Sequence, residues 1–576
     1  MKYTVNPKIN PHLPYAEAIF AARGIDNIEA YLNPTRDAML SWNLLDHIAD
    51  GVNMLQEHLS GASSILIVVD CDMDGICSAA MLWNYIKQIS PDTDLNYIMH
   101  EGKQHGLKDL MGHIAENDYN LIIIPDAGSN DYECHAELAA MDIDVLVIDH
   151  HEAEYYSQDA IVINNQLSKD YPNKTLSGAG VVYKFLQAYD WIVNYAHADE
   201  YLDLAAAAII ADVMQLQELE TRFIVHHGLN HLRNYGLKTF VEKQAYSLGG
   251  KLTPIGIGFY IAPIVNAIIR IGTMDEKDLL FRAFIAGDQT EPSTKRGHKP
   301  GDTEIVAEKA FRIGTNCRNK QNRIMDAGTN MIIDLIRGEG RDEYPVIYVP
   351  LDSFEANQIP SELTGLVAMR VCSAMGKPTL IGRMGDNNCI KGSIRNNGNS
   401  AMTDFKAFLM ESGYFDFVEG HANAAGFSIP AEYGEHFLEY CQEKLAGVNF
   451  NENTYEVDYV FTQGELSEVE SIANLVDHNK EIWGNNITEP RIALKDIFFT
   501  NKDIFRMGAN KDSVKLTIDG LEIVKFKDGD FADELSQMTL IRMTAVGRLG
   551  INEWGGKRTA QFIIEDYELT NSKYDF

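Results

Sequence analysis

The sequence has few of the features that mark a secreted or membrane-bound protein. Its seven cysteines are scattered and none belongs to a CxxC pair, a distribution typical of reduced thiols in a cytosolic protein. No run reaches the roughly 18 apolar residues that span a bilayer, and the first residues lack the apolar core of a signal peptide. We therefore expect a cytoplasmic protein that does not bind a membrane.

Basic residues are also scarce. The chain has 49 Lys and Arg against 83 Asp and Glu, a net charge of −34, which argues against a protein that coats nucleic acid by bulk attraction. Residues 293–323 depart from this balance with eight basic and three acidic side chains, a local charge of +5 (8 minus 3). This basic segment favours contact with a polyanion, although a solvated helix face explains it equally well. Its basic residues are Lys295, Arg296, Lys299, Lys309, Arg312, Arg318, Lys320 and Arg323.

The chain is long and apolar enough for several domains, with 576 residues of which 45% are hydrophobic. Strand-like apolar runs alternate with helical stretches over residues 49–215, which is typical of an α/β parallel sheet. Two glycines, Gly314 and Gly328, leave open whether a long helix predicted further along is continuous. The predicted order is an N-terminal cap segment (1–48), an α/β domain (49–301), a connecting helix (302–337), a smaller α/β domain (338–449) and a β-barrel (450–576).

Acidic residues and histidines follow apolar runs at three places in the first half of the chain. They are Asp70-Cys71-Asp72-Met73-Asp74-Gly75, Pro125-Asp126-Ala127-Gly128 and Asp149-His150-His151. Ligands of an open parallel sheet bind beyond the carboxyl ends of its strands. The sequence therefore predicts one polar site for metal ions at this edge.

The first of these motifs carries three carboxylates within five residues. If the segment is extended, its alternating Asp side chains share one face, and if it turns at Gly75 they still converge. They repel one another unless cations neutralise them. An EF-hand is excluded, because the twelfth loop position, which needs Glu, is Met81 or Trp83. A purely structural acidic turn remains an alternative.

His150 and His151 are adjacent and point in different directions, so we expect only one of them to bind a given metal ion. The other is free to bond a substrate oxygen or a leaving group. Asp212 ends a helix-forming run and is a fourth candidate ligand, although each of these residues also has a plain structural interpretation. Carboxylates with one or two imidazoles suit Mn²⁺ or Mg²⁺. Two such ions activate water and stabilise a leaving oxygen in phosphoryl transfer.

Together these motifs resemble the DHH phosphoesterase superfamily, whose characteristic run is Asp149-His150-His151 here. The Asp70-x-Asp72-x-Asp74-Gly75 pattern is similar to the RecJ-like single-strand exonuclease branch. The resemblance continues in order along nearly the whole chain, and this collinearity is more specific than any single motif. Further similar segments are residues 31–34, 177–182, 211–214, 263–270, 391–395, 420–427 and 552–556.

The resemblance implies a parallel-sheet DHH domain, joined by a long helix to a smaller α/β DHH-associated domain and followed by an OB-fold β-barrel. It also implies two Mn²⁺ or Mg²⁺ ions, with Asp126 as the bridging ligand and His151 near the scissile phosphate. Asp149 would support this catalytic pair, and Asp70 would either bind a metal ion or support one. The implied metal ligands are Asp70, Asp72, Asp74, Asp126, His150 and Asp212.

The resemblance further implies that Arg270, Ser393, Arg395 and His421 contact DNA phosphates, with Ser393 and Arg395 at the 5′ end. Trp554 is a candidate stacking platform on the OB-fold, with core packing as the alternative. Glu419 stands where the family has glycine, and an acid there would weaken anion binding if it points inward.

The implied function is a metal-dependent 5′→3′ exonuclease that degrades single-stranded DNA to nucleoside 5′-monophosphates in recombination or repair. We expect single-stranded DNA as the partner of a monomer, with a single-strand-binding protein or helicase on the C-terminal domain. The leading alternative is a phosphodiesterase for short oligonucleotides or cyclic dinucleotides. A catalytically dead scaffold is disfavoured because every candidate ligand is present, and a calcium-stabilised structural protein is disfavoured by the failed EF-hand count.

Overall fold

The structure is a computed structural model that describes residues 1–102, 104–397, 402–450 and 453–571. The described chain divides into two compact units. One, here called the parallel-sheet unit, comprises residues 23–319 and 480–488. The other, called the two-sheet unit, comprises residues 1–22, 320–479 and 489–576.

A parallel sheet forms the centre of the parallel-sheet unit. Within the described ranges, neighbouring strands of this sheet are all parallel. Parallel neighbours cannot be joined by a tight hairpin turn, so a longer crossover connection links them. The strand Ser64–Val69 (SILIVV) is buried along nearly its whole length, as expected for a strand covered on both faces. The strands, in spatial order, are Asp94–Met99, Ser64–Val69, Leu121–Pro125, Asp144–Asp149 and Ile161–Asn164.

Helices make up most of the rest of this unit. Among them, Met73–Ile89 and Gly178–Val193 pack against each other and carry residues of the metal centre described below. The α-helices are Ile28–Leu32, Ile48–Ser60, Met73–Ile89, Met111–Ala115, Tyr132–Ala140, Gly178–Val193, Leu202–Ala211, Leu219–Asn230, Tyr235–Lys243, Ala245–Leu248, Pro254–Gly256, Ala262–Ile271 and Met274–Ile285, with short 3₁₀ turns at Arg36–Ala38, Trp42–Leu44 and Ala198–Tyr201.

A π-helical turn, Ile257–Ile261, joins Pro254–Gly256 to Ala262–Ile271. The resulting helix, Pro254–Ile271, is the one described helix that is long and apolar enough to cross a membrane by length and composition. More than half of it is buried inside the protein, and core helices of soluble proteins meet the same criterion.

The N-terminal segment 1–48, expected to act as a single cap, is divided between the units. Lys2–Val5 pairs in parallel with Thr454–Val457 of the two-sheet unit. Residues from Arg23 onward join the parallel-sheet unit, where the Tyr31 hydroxyl donates to the Leu216 carbonyl over 2.7 Å. The split arises because pairing between segments distant in the sequence leaves no local signal.

A late segment, residues 480–488, also belongs to the parallel-sheet unit. Backbone bonds hold it there: Leu216 N–H donates to the Asn485 carbonyl over 3.3 Å. The Arg222 guanidinium donates to the Glu481 carbonyl over 3.0 Å, and that of Arg23 donates to the Thr488 carbonyl over 3.1 Å. Nothing in the composition of this segment predicts the assignment.

The long helix predicted over 302–337 is Val306–Gly338 in the structure. It begins later than expected because Thr303–Ile305 forms a strand that pairs with Thr290–Pro292. The helix continues through Gly314 and Gly328. A Cβ on Gly314 would lie 2.6 Å from Ile264, and one on Gly328 would lie 2.9 Å from Ile359, so both glycines permit close packing rather than a break.

The two-sheet unit contains a mixed sheet, here called the second sheet. Its strands in spatial order are Phe417–His421, Ala424–Pro430, Cys389–Arg395, Thr379–Met384 and Ile347–Leu351, antiparallel except for the last pair. One face packs on a core that includes Ile394, Val418 and Phe427. The accompanying helices are Ser353–Ala356, Thr364–Met375, Phe405–Glu411 and Gly434–Lys444, with 3₁₀ turns at Arg341–Glu343, Ser361–Leu363, Asp386–Asn388 and Ala431–Tyr433.

The third sheet is built largely from short strands around one long hairpin, Leu540–Trp554 with Lys557–Asn571. In spatial order its strands are Tyr459–Thr462, Arg491–Thr500, Leu540–Trp554, Lys557–Asn571, Leu521–Lys525, Ser513–Ile518 and Ile504–Met507. The helices of this region are Leu466–His478 and Gly529–Gln537, with 3₁₀ turns at Gln463–Glu465 and Asn501–Asp503, and Tyr15–Ala22 is the N-terminal helix of the unit.

A buried ion pair holds the helix Gly178–Val193 in place. The Lys184 ammonium lies 2.9 Å from Glu220, and their side chains are 0% and 2% exposed. Glu220 also accepts hydrogen bonds from the Tyr171 hydroxyl and the Asn173 amide. We expect Lys184→Met to lower the free energy of unfolding by about 3–5 kcal/mol, because it leaves a buried carboxylate unpaired.

Urea denaturation followed by tryptophan fluorescence measures this effect. The matched control is Lys243→Met, which removes a partly exposed ion pair with Glu308 and should cost less than about 1 kcal/mol. Equal losses in the two variants would contradict the prediction.

Candidate metal centre

The carboxyl ends of three neighbouring strands bring the three sequence motifs together. Asp70 follows Ser64–Val69, Asp126 follows Leu121–Pro125, and His150 follows Asp144–Asp149. Asp70 and Asp126 are 1% and 2% exposed. These charged groups are therefore buried at one edge of the sheet, as the strand-end pattern predicts.

The acidic turn after the first strand starts a helix. Asp72 is the N-cap of Met73–Ile89 and accepts a hydrogen bond from the Gly75 N–H over 3.0 Å. Asp74 lies in the first helical turn and is 1% exposed. The segment therefore turns into a helix rather than remaining extended. Its carboxylates lie at the N-terminus of that helix, next to the carboxyl end of the strand Ser64–Val69.

A second helix N-terminus binds the Asp74 carboxylate. The N–H groups of Gly178 and Ala179 donate to it over 2.8 and 2.9 Å, and the Ser177 hydroxyl donates over 3.0 Å. The first N–H groups of a helix have no partner within the helix and favour negative charge. These three donors satisfy both oxygens of the buried Asp74 carboxylate.

His150 lies among the carboxylates. Its Nε2 is 3.2 Å from Asp126, 3.6 Å from Asp212 and 3.8 Å from Asp74. Burial lowers the pKa of His150, which favours the neutral imidazole that binds metal ions. Asp212 is the C-cap of Leu202–Ala211, so a helix end completes this side of the centre.

The backbone and the side chain of Asp126 both have features expected of a metal ligand. Its backbone lies in the left-handed region with φ of +67°, and its Oδ1 is buried without a hydrogen-bond partner among the described residues. Burial, followed by the charge of Asp74, raises its pKa well above the usual range. A Cβ on Gly178 would lie 2.3 Å from Oδ1, so only glycine fits there.

Two other carboxyl groups show the same electrostatic strain. Burial and the charge of Asp74 raise the pKa of Asp72 to about 6 and that of Asp212 to about 8. Like charges this close favour protonation unless a cation replaces the protons. The residues therefore fit a metal ion better than they fit an ion-free state.

Ligand atoms fall into sets that could each hold an ion, with all atoms of a set within 4.8 Å of one another. One set is Asp74, His150 and Asp212, and another is Asp70, Asp72 and Asp126. Oxygen donors with one imidazole suit Mn²⁺ or Mg²⁺. The two sets thus offer two candidate positions for an ion, and Asp126 of one set lies 3.2 Å from His150 of the other.

Asp149 positions His151 instead of joining these two sets. Its carboxylate accepts from the His151 Nδ1–H over 2.8 Å and from the His150 N–H over 2.7 Å. The hydrogen bond from the His151 ring to Asp149 raises the pKa of His151 to about 9. Burial alone would raise the pKa of Asp149, but the bond and charge of His151 outweigh it and lower that pKa. The His151 side chain is 51% exposed.

The predicted substrate residues lie in two places. Arg270 is on the helix Ala262–Ile271, close enough to interact electrostatically with Asp72. Ser393, Arg395 and His421 lie on the second sheet. Arg395 and His421 both pair with Ala424, from opposite sides of its strand. Ser393 and Glu419 pair with Gly426 in the same way. Paired residues share a face, so all four polar side chains are on the face opposite the core.

The structure settles two alternatives that the sequence left open and shows one set of contacts that was not predicted. Ion pairs neutralise part of the basic segment, Lys309 with Glu291 and Arg312 with Glu304, which sequence distance conceals. Trp554 is 84% exposed, so its core-packing alternative is wrong. The role of residues 177–179 as donors to Asp74 was missed, although a serine and glycines before an apolar helix indicate a helix start.

Comparisons with known proteins agree with this architecture. The DHH family N-terminal domain matches residues 64–209 and the RecJ OB domain matches residues 465–566. The chain is 35% identical over 562 residues to yorK of Bacillus phage SPbeta, covering 96% of each chain. That protein is named as a single-strand DNA-specific exonuclease, an inferred assignment. The present chain is 26% identical over 576 residues to the single-stranded-DNA-specific exonuclease RecJ of Bacillus subtilis, covering 96% of this chain and 68% of the relative.

Among solved structures, RecJ of Thermus thermophilus in complex with Mn²⁺ has the same fold, with a TM-score of 0.72 at 20% identity. The match covers 96% of this chain and 76% of that one. The parallel sheet and its carboxylate-lined edge thus define a DHH-domain protein. Within that superfamily, the chain belongs to the RecJ-like family of single-strand-specific exonucleases. The predicted family and fold class are confirmed.

Gly178 provides a direct test of the metal centre. We expect Gly178→Ala to weaken Mn²⁺ binding by at least about 10-fold, because the added methyl displaces Asp126. Isothermal titration calorimetry measures the affinity, and circular dichroism checks the fold. The control is Gly112→Ala on the helix Met111–Ala115, where a Cβ meets no atom within 4 Å. Unchanged Mn²⁺ affinity in Gly178→Ala would contradict the assignment.

Proposed function

We propose that the protein is a metal-dependent exonuclease that degrades single-stranded DNA from its 5′ end to nucleoside 5′-monophosphates. The observation that carries this proposal is the buried Oδ1 of Asp126, which has no hydrogen-bond partner among the described residues although the His150 Nε2 lies 3.2 Å away. The names of the RecJ relatives support single-stranded DNA as the substrate.

In this proposal two Mn²⁺ or Mg²⁺ ions would share Asp126 as a ligand. Asp74, His150 and Asp212 would hold one, and Asp72 would hold the other with Asp70 as ligand or support. Bound ions of this kind lower the pKa of water and stabilise the leaving oxygen of a phosphodiester. Asp126 suits the shared position because its ligand oxygen belongs to a set with Asp70 and Asp72 and also lies near His150.

His151 is the proposed proton donor. Its Nδ1 is held by Asp149, and its exposed imidazole leaves Nε2 for the substrate. A raised pKa keeps the ring protonated near neutral pH, so it can stabilise the scissile phosphate or protonate the departing 3′-oxygen. Water supplies the oxygen that bonds to phosphorus, and the bond from phosphorus to that 3′-oxygen breaks.

The proposed phosphate contacts are Arg270 on the parallel-sheet unit and Ser393, Arg395 and His421 on the second sheet. Arg395 offers a planar guanidinium that matches phosphate oxygens, and its neighbour Ser393 adds a hydroxyl. A 5′-phosphate carries more negative charge than an internal phosphodiester, which favours recognition of the strand end by these groups.

We further propose a cytoplasmic monomer that acts in recombination or repair, with a single-strand-binding protein or helicase on the C-terminal domain. The division that we propose along the sequence is a cap segment 1–48, a DHH domain 49–301, a connecting helix 302–337, a DHH-associated domain 338–449 and an OB-fold domain 450–576, with residues 23–48 and 480–488 packed in the parallel-sheet unit. The RecJ OB match over 465–566 supports the last of these.

Oligonucleotides labelled at either end test the activity. With Mn²⁺, we expect release of the 5′ label as mononucleotide from single strands, with duplexes left intact. Asp126→Asn should lower the rate by at least about 1,000-fold, because it removes the bridging charge while asparagine tolerates the left-handed backbone. The exposed Asp118→Asn serves as the control. Hydrolysis of dinucleotides with long strands left intact would instead indicate the small-substrate alternative and overturn the proposal.

Glu419 gives a second test at the proposed phosphate site. It is exposed and shares a face with Ser393, on the far side of Gly426. We expect Glu419→Gln to tighten binding of single-stranded DNA by about 2- to 5-fold, because it removes one repulsive charge from a solvated site.

Fluorescence anisotropy at low salt in the presence of Ca²⁺ measures this affinity. The control is Glu432→Gln, another exposed acid of the same unit. The effect should shrink as salt is added. Weaker binding by Glu419→Gln than by Glu432→Gln would show that Glu419 helps to hold the strand.

A further inference from the structure

A second cluster of metal-binding side chains lies beside the centre described above. The Cys71 thiol is 3.7 and 3.9 Å from the two ring nitrogens of His105. The His105 Nδ1 is in turn 2.8 Å from Asp70. One ligand atom from each residue lies within 4.8 Å of the others, and neither Cys71 nor His105 has a role in the proposed hydrolysis.

The donor types differ from those of the main centre. Thiolate and imidazole select zinc over manganese or magnesium, whereas oxygen-rich sets do the reverse. Tetrahedral zinc, with bonds of about 2.3 Å to sulfur and 2.0–2.1 Å to nitrogen, places those two atoms about 3.6 Å apart. The observed separations of 3.7 and 3.9 Å are close to this value.

We infer that Cys71, His105 and Asp70 form a binding site for Zn²⁺, separate in chemistry from the Mn²⁺ or Mg²⁺ centre and sharing Asp70 with it. The site is reachable from solvent, because the His105 side chain is 57% exposed and Cys71 is partly exposed. The buried Asp70 forms its floor, with a side chain 1% exposed.

A further imidazole is available in the same neighbourhood. His100 follows the strand Asp94–Met99, which pairs with the strand that leads to Asp70. It is 3% exposed, its Nε2 has no hydrogen-bond partner among the described residues, and its charge interacts with those of Asp70 and His105. His100 lies outside the set of ligand atoms within 4.8 Å of one another, so we assign the fourth position to water.

Binding involves ligand exchange without any redox step. Cys71 loses its S–H proton to solvent as the sulfur–zinc bond forms, and metal bonds replace the hydrogen bond between His105 and Asp70. The Nδ1 proton that His105 donates to Asp70 leaves to solvent as this nitrogen binds the metal, and Nε2 keeps its proton, so both steps release a proton and neither transfers an electron. Zinc would thereby compete for Asp70 and slow DNA hydrolysis, and this consequence alone rests on the proposed function.

Alkylation of Cys71 tests the site in the full-length protein. With millimolar Mn²⁺ present throughout, equimolar Zn²⁺ should slow iodoacetamide modification of Cys71 at least about 10-fold, because the metal-bound sulfur is masked. Peptide mass spectrometry gives the rate for each cysteine. Protection should fall below about 2-fold in His105→Asn, since the imidazole ligand is lost. It should persist in Cys389→Ser, which removes a thiol that bonds Asp416 instead.

Co²⁺ provides a second readout, because zinc itself has no visible spectrum. A thiolate-to-cobalt charge-transfer band should appear in the unsubstituted protein and in Cys389→Ser, and should be absent from Cys71→Ser. Equal alkylation of Cys71 with and without zinc would overturn the inference, as would full protection in His105→Asn or a band that survives Cys71→Ser. DNA hydrolysis is not measured here, so failure of the exonuclease proposal would leave this result intact.

Discussion

The metal centre depends on one contact, the meeting of the Asp74 carboxylate with the N-terminus of the helix Gly178–Val193. Several buried carboxylates of like charge cannot gather at a sheet edge without compensation. Donors from residues 177–179 supply part of that compensation to Asp74, and Gly178 leaves the space that Asp126 occupies. The buried ion pair between Lys184 and Glu220 anchors the same helix in the core. The helix Gly178–Val193 therefore contributes both to core packing and to the geometry of the site.

The carboxylates of the two ligand sets differ in how far their neighbours satisfy them. Asp74 is satisfied by backbone donors, whereas Asp126 keeps an oxygen without a partner among the described residues. Asp149 is satisfied by His151 and by backbone N–H groups. The neighbours of each carboxylate therefore differ, and Asp126 is the one of these three with a buried oxygen that has no hydrogen-bond partner among the described residues.

Much of this could be predicted from the sequence, because the carboxyl ends of parallel strands always share one edge. The positions of Asp70, Asp126 and His150 followed from that rule alone, and the family and fold class followed from motifs in a fixed order. The left-handed backbone of Asp126 could not be predicted, since it depends on tertiary context. Pairing of Lys2–Val5 with Thr454–Val457 was equally hidden, because contacts between distant segments leave no periodicity in either.

The assignment of residues 480–488 to the parallel-sheet unit has a consequence for synthesis of the chain. The proposed metal ligands are all translated by residue 212, yet Leu216, Arg222 and Arg23 each donate a hydrogen bond to a carbonyl within residues 481–488. The ribosome must therefore pass through most of the chain before the unit that carries the metal centre is complete. A chain truncated before this segment lacks the residues that accept these three hydrogen bonds.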